Sequence, residues 1–301
     1  WENTKVVIPI KAEIDERIMK NIESSVVKDN RPYYQAASYY FNNNKDLKQA
    51  HFLFSSMGSP TLTSLGMWAT KWAISWNLPI KGLIKNTIYK QFCGGETMEE
   101  AAVVANTLAQ YKVGVIMDYG VEGKEGEEEF DKAVPEFVKA VKYAASQKNI
   151  PFISLKVTGF SRFSLLEKLH AGSTLTDSEK AEWDRVYNRI DTICKTAFEN
   201  NIMVLIDAEE TWIQGPVNDL ANAMMEKYNK AKGLIFNTFQ MYAHATLAYL
   251  KKSFEESSAK GYILGAKLVR GAYMEKERER GMKMGYPSPI QPDKASTDRD
   301  Y

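Results

Sequence analysis

The 301 residues are 44% hydrophobic and carry a formal net charge of +1. Such a chain can bury a sizeable core, and its near-neutral balance excludes a nucleic-acid protein held mainly by phosphate contacts. Cys93 and Cys194 cannot frame a disulfide scaffold, and His51, His170 and His244 lack the spacing of a histidine metal site. No uncharged run is long enough to span a bilayer, so a soluble, intracellular chain is expected.

The first ~40 residues offer only an amphipathic stretch near Ile14 to Val27, and Asn42-Asn43-Asn44 marks a linker. Leu47 to Gly95 contains no Asp or Glu, while Lys48, Lys71, Lys81, Lys85 and Lys90 give it five positive charges. Trp68, Trp72 and Trp76, then Leu83, Ile84, Ile88 and Phe92, recur at helical spacing. The segment reads as an N-terminal helical arm, either packed on the outside of the following domain or presenting a basic, Trp-bearing surface to anionic lipid. The division expected is 1–95 for the arm and 96–301 for the main domain.

From about Gly95 short apolar runs alternate with amphipathic ones. The runs Val113 to Met117, Pro151 to Leu155, Met203 to Ile206, Leu234 to Phe239 and Ile263 to Val269 read as strands. Between them, Phe130, Val134, Phe137, Val138 and Val141 share one helical face, as do Leu220, Met224, Met225 and Tyr228. The acidic run Glu122 to Asp131 reads as a solvated loop and helix start. Capping boxes open helices at Thr97-Met98-Glu99-Glu100 and Thr176-Asp177-Ser178-Glu179. Cys194 lies on the apolar stripe Trp183, Tyr187, Ile190, Cys194, Ala197, which predicts a reduced core thiol.

Apolar strands alternating with helices predict a parallel sheet covered on both faces. No G-x-G-x-x-G follows any strand, so the Rossmann fingerprint is absent. Instead Asp118, Lys156, Asp207, Gln240 and Arg270 stand where strands end, as at the catalytic face of a (β/α)8 barrel. Five strands do not close an eight-stranded barrel. The expectation is a (βα)8 barrel, incomplete in these residues: either the chain is a fragment, or the remaining strands belong to a portion not shown.

The fifth strand end is the most informative. The apolar run Tyr262 to Val269 reads as a buried strand ending in Arg270-Gly271-Ala272-Tyr273, with a solvated helix over Glu275 to Arg280. A fixed cation, a residue without Cβ and an aromatic ring suit a ligand that needs charge, close backbone approach and a wall.

Four strand-end motifs, Leu155-Lys156-Val157-Thr158-Gly159, Ile206-Asp207-Ala208-Glu209, Gln240-Met241-Tyr242 and Lys267-Leu268-Val269-Arg270-Gly271-Ala272-Tyr273, occur in the order seen in proline dehydrogenases. Tyr286 to Pro292 is similar to that family's loop after the fifth strand, and the resemblance covers about Leu47 to Tyr301. It implies a distorted (βα)8 barrel that holds FAD, oxidises L-proline to Δ1-pyrroline-5-carboxylate and passes electrons to a membrane quinone. Asp207 and Lys267 would then be catalytic, Asp207 orienting the proline and Lys267 standing next to flavin N5, where relatives often carry Arg. Lys156 and Tyr273 would bind substrate. Ala208, Gln240, Arg270, Gly271 and Ala272 would bind the cofactor, Gln240 along its pyrimidine edge. Asp118 and Glu122 match a supporting acidic pair.

The resemblance also implies attachment to the inner face of a bacterial inner membrane or the matrix side of the mitochondrial one, and leaves room for a homo-oligomer. The family's later Thr-His motif and its paired carboxylate-binding arginines are absent from these residues, so the chain alone is not expected to turn over proline. Two other readings remain open. A strand-end lysine can serve a Schiff-base aldolase, although Lys156 and Asp207 on neighbouring strands suggest an ion pair. A flavin- or proline-binding scaffold without turnover would also carry these motifs.

Overall fold

The computed structural model describes residues 59–301, apart from 77, 85–88, 90–92, 111 and 121–125. The stretch from Ile14 to Val27, the Asn42-Asn43-Asn44 linker, Lys48, Lys85, Lys90, Ile88, Phe92 and Glu122 lie outside the described residues. The chain divides into two compact units, Trp1–Gly95 and Glu96–Tyr301.

In the first unit, Ser59 caps a helix, α1 (Pro60–Ser75), by accepting from the Leu62 N–H. Pro60 sits in the first turn, where its missing N–H costs nothing. The helix buries Ala73 but exposes Leu62, Leu65, Met67, Trp68, Trp72 and Ile74. The Trp72 and Trp76 rings pack with centroids 5.2 Å apart. A short helix, α2, follows at Lys81–Ile84.

The second unit alternates helix and strand: α3 (Met98–Ala109), β1 (Ile116–Asp118), α4 (Glu127–Ala145), β2 (Phe152–Leu155), α5 (Phe163–His170), α6 (Asp177–Glu199), β3 (Met203–Ile206), α7 (Gln214–Tyr228), β4 (Ile235–Gln240), α8 (Thr246–Lys260), β5 (Ala266–Val269), α9 (Met274–Met284) and α10 (Lys294–Asp300). The capping box at Thr176 forms in both directions, which stabilises the start of α6 by about 1 kcal/mol. At Thr97 only half of it forms, because the Glu100 carboxylate accepts from the Glu96 N–H rather than from Thr97.

All four strand pairings are parallel and the spatial order is β1-β2-β3-β4-β5. A doubly wound sheet reverses direction at a switch point; sequential order without reversal is that of a barrel wall. Leu155, Val204, Ile206 and Ile235 bury fully against Phe137, Val141, Ile190, Cys194, Val217 and Met224 from α4, α6 and α7. Burial pushes the Cys194 thiol far above its ordinary range, in keeping with an inert core thiol.

Two strands differ from the sequence expectation. β1 lies later than Val113 to Met117 and includes Asp118, which pairs in register with Ser154. The run from Tyr262 becomes strand only at Ala266–Val269 and is not buried: Ala266 and Leu268 are exposed. Among the described residues β5 is an edge of the five-stranded sheet, with one flank without a neighbour, and an apolar sequence alone cannot report that.

Asn229, with no exposed surface, fastens the lower ends of β4 and β5. Its Nδ2 donates to the carbonyls of Ile235 (2.7 Å) and Ile263 (3.0 Å), and its Oδ1 accepts from Leu234 N and Ile235 N (both 2.9 Å). One side chain thus satisfies three buried backbone groups, at Leu234 and Ile235, and ties in the Ile263 carbonyl as well.

Candidate active site

The register of β3, β4 and β5 decides the first layer of the site. Asp207 follows the Ile206–Asn237 pair, which brings it level with Thr238, itself paired with Lys267. One carboxylate oxygen of Asp207 accepts from Lys267 Nζ (2.6 Å) and, more distantly, from Thr238 Oγ1 (3.4 Å); the other accepts from Ser154 Oγ (2.9 Å). Four strands thus meet at one carboxylate. The Lys267 and Asp207 side chains keep only 29% and 18% of their exposure, so this pair is screened less than the median surface ion pair, worth about 0–1 kcal/mol.

The sequence pointed to Lys156 as the cation facing Asp207; the structure gives that place to Lys267. The Lys156 ammonium favours the charged form of Glu209 electrostatically. Lys267, as an ion-pair partner, is not the lysine isolated from acids that Schiff-base chemistry requires.

A second layer runs along the loops just beyond the strands. The Glu209 carboxylate accepts from Thr158 N (3.1 Å) and from Thr158 Oγ1, and the Glu209 carbonyl accepts from Gln240 Nε2 (2.7 Å). Gln240 Oε1 in turn accepts from Ala272 N (3.0 Å). Glu209 is 3% exposed, and burial pushes its carboxyl up to about 7 against the opposing pull of Thr158 and Lys156. Beside it, Glu277 of α9 is fully buried and accepts from Thr211 N (2.6 Å) and Thr211 Oγ1 (2.7 Å). Burial holds the Glu277 carboxyl above its ordinary range.

Around these layers stand the remaining candidates. Ala208 is buried, whereas Arg270, Gly271 and Ala272 are exposed. Arg270 Nε donates to Asp298 of α10 (2.6 Å), and its guanidinium lies 4.5 Å from the Tyr301 ring centre. Gly271 has φ +141°, and an ideal Cβ there would lie 1.7 Å from Cδ1 of Tyr242. The lost side chain therefore makes room for a tyrosine of the protein, where the sequence suggested room for a ligand. Tyr273 opens α9 half-buried, its hydroxyl pushed up to about 12 by burial, with Lys276 Nζ 5.4 Å from its ring centre. Asp118 belongs to β1, beside Ser154 in register.

Ser154, Thr238, Glu209, Thr158 and Glu277 carry hydrogen bonds here that sequence reasoning assigned to no residue by name. Signals existed for four of them. Ser154 and Thr238 are polar residues within runs read as strands, and Thr158 and Glu209 lie in two of the strand-end motifs. Glu277, in a helix read as solvated, offered none.

The model of the family described as proline dehydrogenase matches residues 101–301. The chain belongs to the proline dehydrogenase family. It is 30% identical over 262 residues to a mitochondrial proline dehydrogenase 1 of Dictyostelium discoideum, covering 74% of this chain and 46% of that protein. Hydroxyproline dehydrogenase of Xenopus laevis is 29% identical over 249 residues, covering 72% of this chain and 53% of that protein. The chain thus spans about half the length of the curated relatives it matches. Among solved structures, proline utilization A of Bdellovibrio bacteriovorus inactivated by N-propargylglycine superimposes with a TM-score of 0.64 at 19% identity, over 95% of this chain and 31% of that one. At that identity the likeness establishes the fold: five parallel strands of an α/β, TIM-barrel-like proline dehydrogenase domain.

Proposed function

We propose that this chain supplies the first five βα units of an enzyme that oxidises L-proline to Δ1-pyrroline-5-carboxylate, opening proline catabolism, with FAD held non-covalently. Residues 96–301 form the barrel part and 1–95 the helical arm. The observation that carries the reading is the four-strand convergence on Asp207, with Lys267 as its cation, in a chain of this family.

The residues present suit a flavin. A flat ring needs a surface without projecting side chains, and the exposed Gly271-Ala272 step, held by Gln240, offers nothing beyond a methyl. Ala208 offers the same on β3's loop. When bound, FAD would supply the acceptor for the hydride lost from proline C5, the ring nitrogen losing a proton in the same oxidation. The protein contributes charge and position. Lys267 provides a fixed cation for the electron-rich ring, and Asp207 holds that ammonium in place while orienting the proline. Lys156 offers a cation to the proline carboxylate, and Tyr273 helps to enclose it. Arg270 acts from its pair with Asp298. Gln240 acts by fixing Ala272, with one N–H and one lone pair left for the ring edge.

The full-length protein is expected to be yellow, to release its flavin on acid precipitation and to be bleached anaerobically by proline. A colourless protein, or flavin that stays in the pellet, contradicts the cofactor assignment. Flavin bound but never bleached by proline means a scaffold without turnover.

The proposal extends to a quinone acceptor at a membrane, the inner mitochondrial one or its bacterial counterpart. Among the described residues no helix is long and apolar enough to cross a membrane. Trp68, Trp72 and Trp76, all exposed, together with Lys71, suit the interface region. The full-length protein is expected to co-sediment with anionic liposomes in low salt and to be released by high salt, each basic residue contributing about 1 kcal/mol. Equal recovery with neutral lipid ends this part of the reading.

A further inference from the structure

The loops after β2, β3 and β5 and the last residue of β4 are joined crosswise by one continuous run of hydrogen bonds: Thr158 to the Glu209 carboxylate, the Glu209 carbonyl to the Gln240 amide, and the Gln240 amide to the Ala272 N–H. Glu209 is its centre. Its N–H donates to Gln214 Oε1 (2.8 Å) at the start of α7, so its backbone is held at both nitrogen and oxygen while its side chain reaches across to the next loop. Thr211, two residues on, is gripped by Glu277 from α9. Each loop end in this run carries a residue named above for substrate or cofactor: Lys156 beside Thr158, Ala208 beside Glu209, Gln240 itself, and Gly271 and Tyr273 on either side of Ala272. Loops are ordinarily the mobile part of a barrel, and a site built on them needs supporting bonds to hold it within about half an ångström.

We propose that Glu209 is a positioning residue that locks these three loops and the end of β4 into one unit, so that Lys156 on one side and Ala272 on the other keep a fixed separation. A buried carboxylate is otherwise a costly group to place among strand ends, and its hydrogen bonds to Thr158 give it a partner in the loop after β2. The link between this lock and proline rests on the function proposed above; the lock itself does not.

The test is amide hydrogen exchange on the full-length protein and on its Glu209→Ala, Glu209→Gln and Thr158→Val variants, followed by KM and kcat for proline. Glu209→Ala is expected to speed exchange at Thr158 and also at Ala272, which its side chain does not touch, by at least about tenfold, while Ile153 and Val204 in the strands stay protected. Thr158→Val, a milder change, is expected to do the same to a smaller extent, and remains available if Glu209→Ala does not fold. Glu209→Gln keeps a carbonyl oxygen for Thr158 N and is expected to restore protection to within about threefold. For proline, a displaced Lys156 weakens substrate and transition state alike, so KM rises about tenfold while kcat changes little. Exchange that quickens only at Thr158 overturns the lock, since the loops are then independent. Exchange that quickens throughout the strands also overturns it, leaving Glu209 a general stability residue. Exchange as expected with no response to proline in any variant, wild type included, keeps the lock and rejects the proline reading.

Discussion

Asp207→Ala in the full-length protein is expected to lower kcat/KM for proline at least about tenfold, equivalent to about 1.4 kcal/mol in the barrier. The carboxylate is where Ser154, Thr238 and Lys267 converge, so its removal does two things at once. It frees the Lys267 ammonium from the position in which it would face the ring, and it leaves that partly buried charge without its counter-ion. Asp207→Asn separates these effects, since the amide oxygen can still accept from Ser154 while the charge is gone. If positioning of charge is what matters, Asn is nearly as damaging as Ala. Near-wild-type turnover by either variant at full flavin content removes Asp207 from the chemistry. A fall in melting temperature with unchanged turnover assigns it to stability alone.

Gly271→Ala is expected to destabilise the protein by about 3 kcal/mol, combining a positive-φ penalty with a steric one. At φ +141° any side chain is strained, and the added Cβ would fall inside the Tyr242 ring. Tyr242 is 4% exposed, so the ring has little room to withdraw. Gly285→Ala is the control: φ there is +74°, and a Cβ would meet nothing within 4 Å, so only a backbone cost near 1 kcal/mol applies. The comparison is made by thermal unfolding and by flavin content after purification. If both variants melt within about a degree of each other, Tyr242 moves aside freely and the close approach is not a constraint.

The sequence carried the order of elements well because each strand and helix announces itself locally. Met203–Ile206 ends where its apolar run does and matches the strand read from the sequence, and the parallel sheet follows from alternation with helices. Boundaries were less legible at the edges. Whether residues 262–265 join a strand depends on what lies beside them, and Asp118 counts as strand because Ser154 pairs with it.

Placement of polar residues at strand ends was likewise determined by sequence: Lys156, Asp207, Gln240 and Arg270 are where local pattern says a strand stops. Which of them touch was decided only by tertiary structure. Asp207 takes Lys267, sixty residues on, over Lys156, because the β3–β4–β5 register sets Asp207, Thr238 and Lys267 at one level. Gly271 is required by Tyr242, and Glu277 is buried on a helix whose sequence reads as solvated, because Thr211 offers it two donors. Local sequence fixes the period and the ends of each element, since propensity and burial pattern act within a few residues. Partners are chosen by strand register and loop packing, which are sums over distant parts of the chain and leave no mark in any one stretch of it.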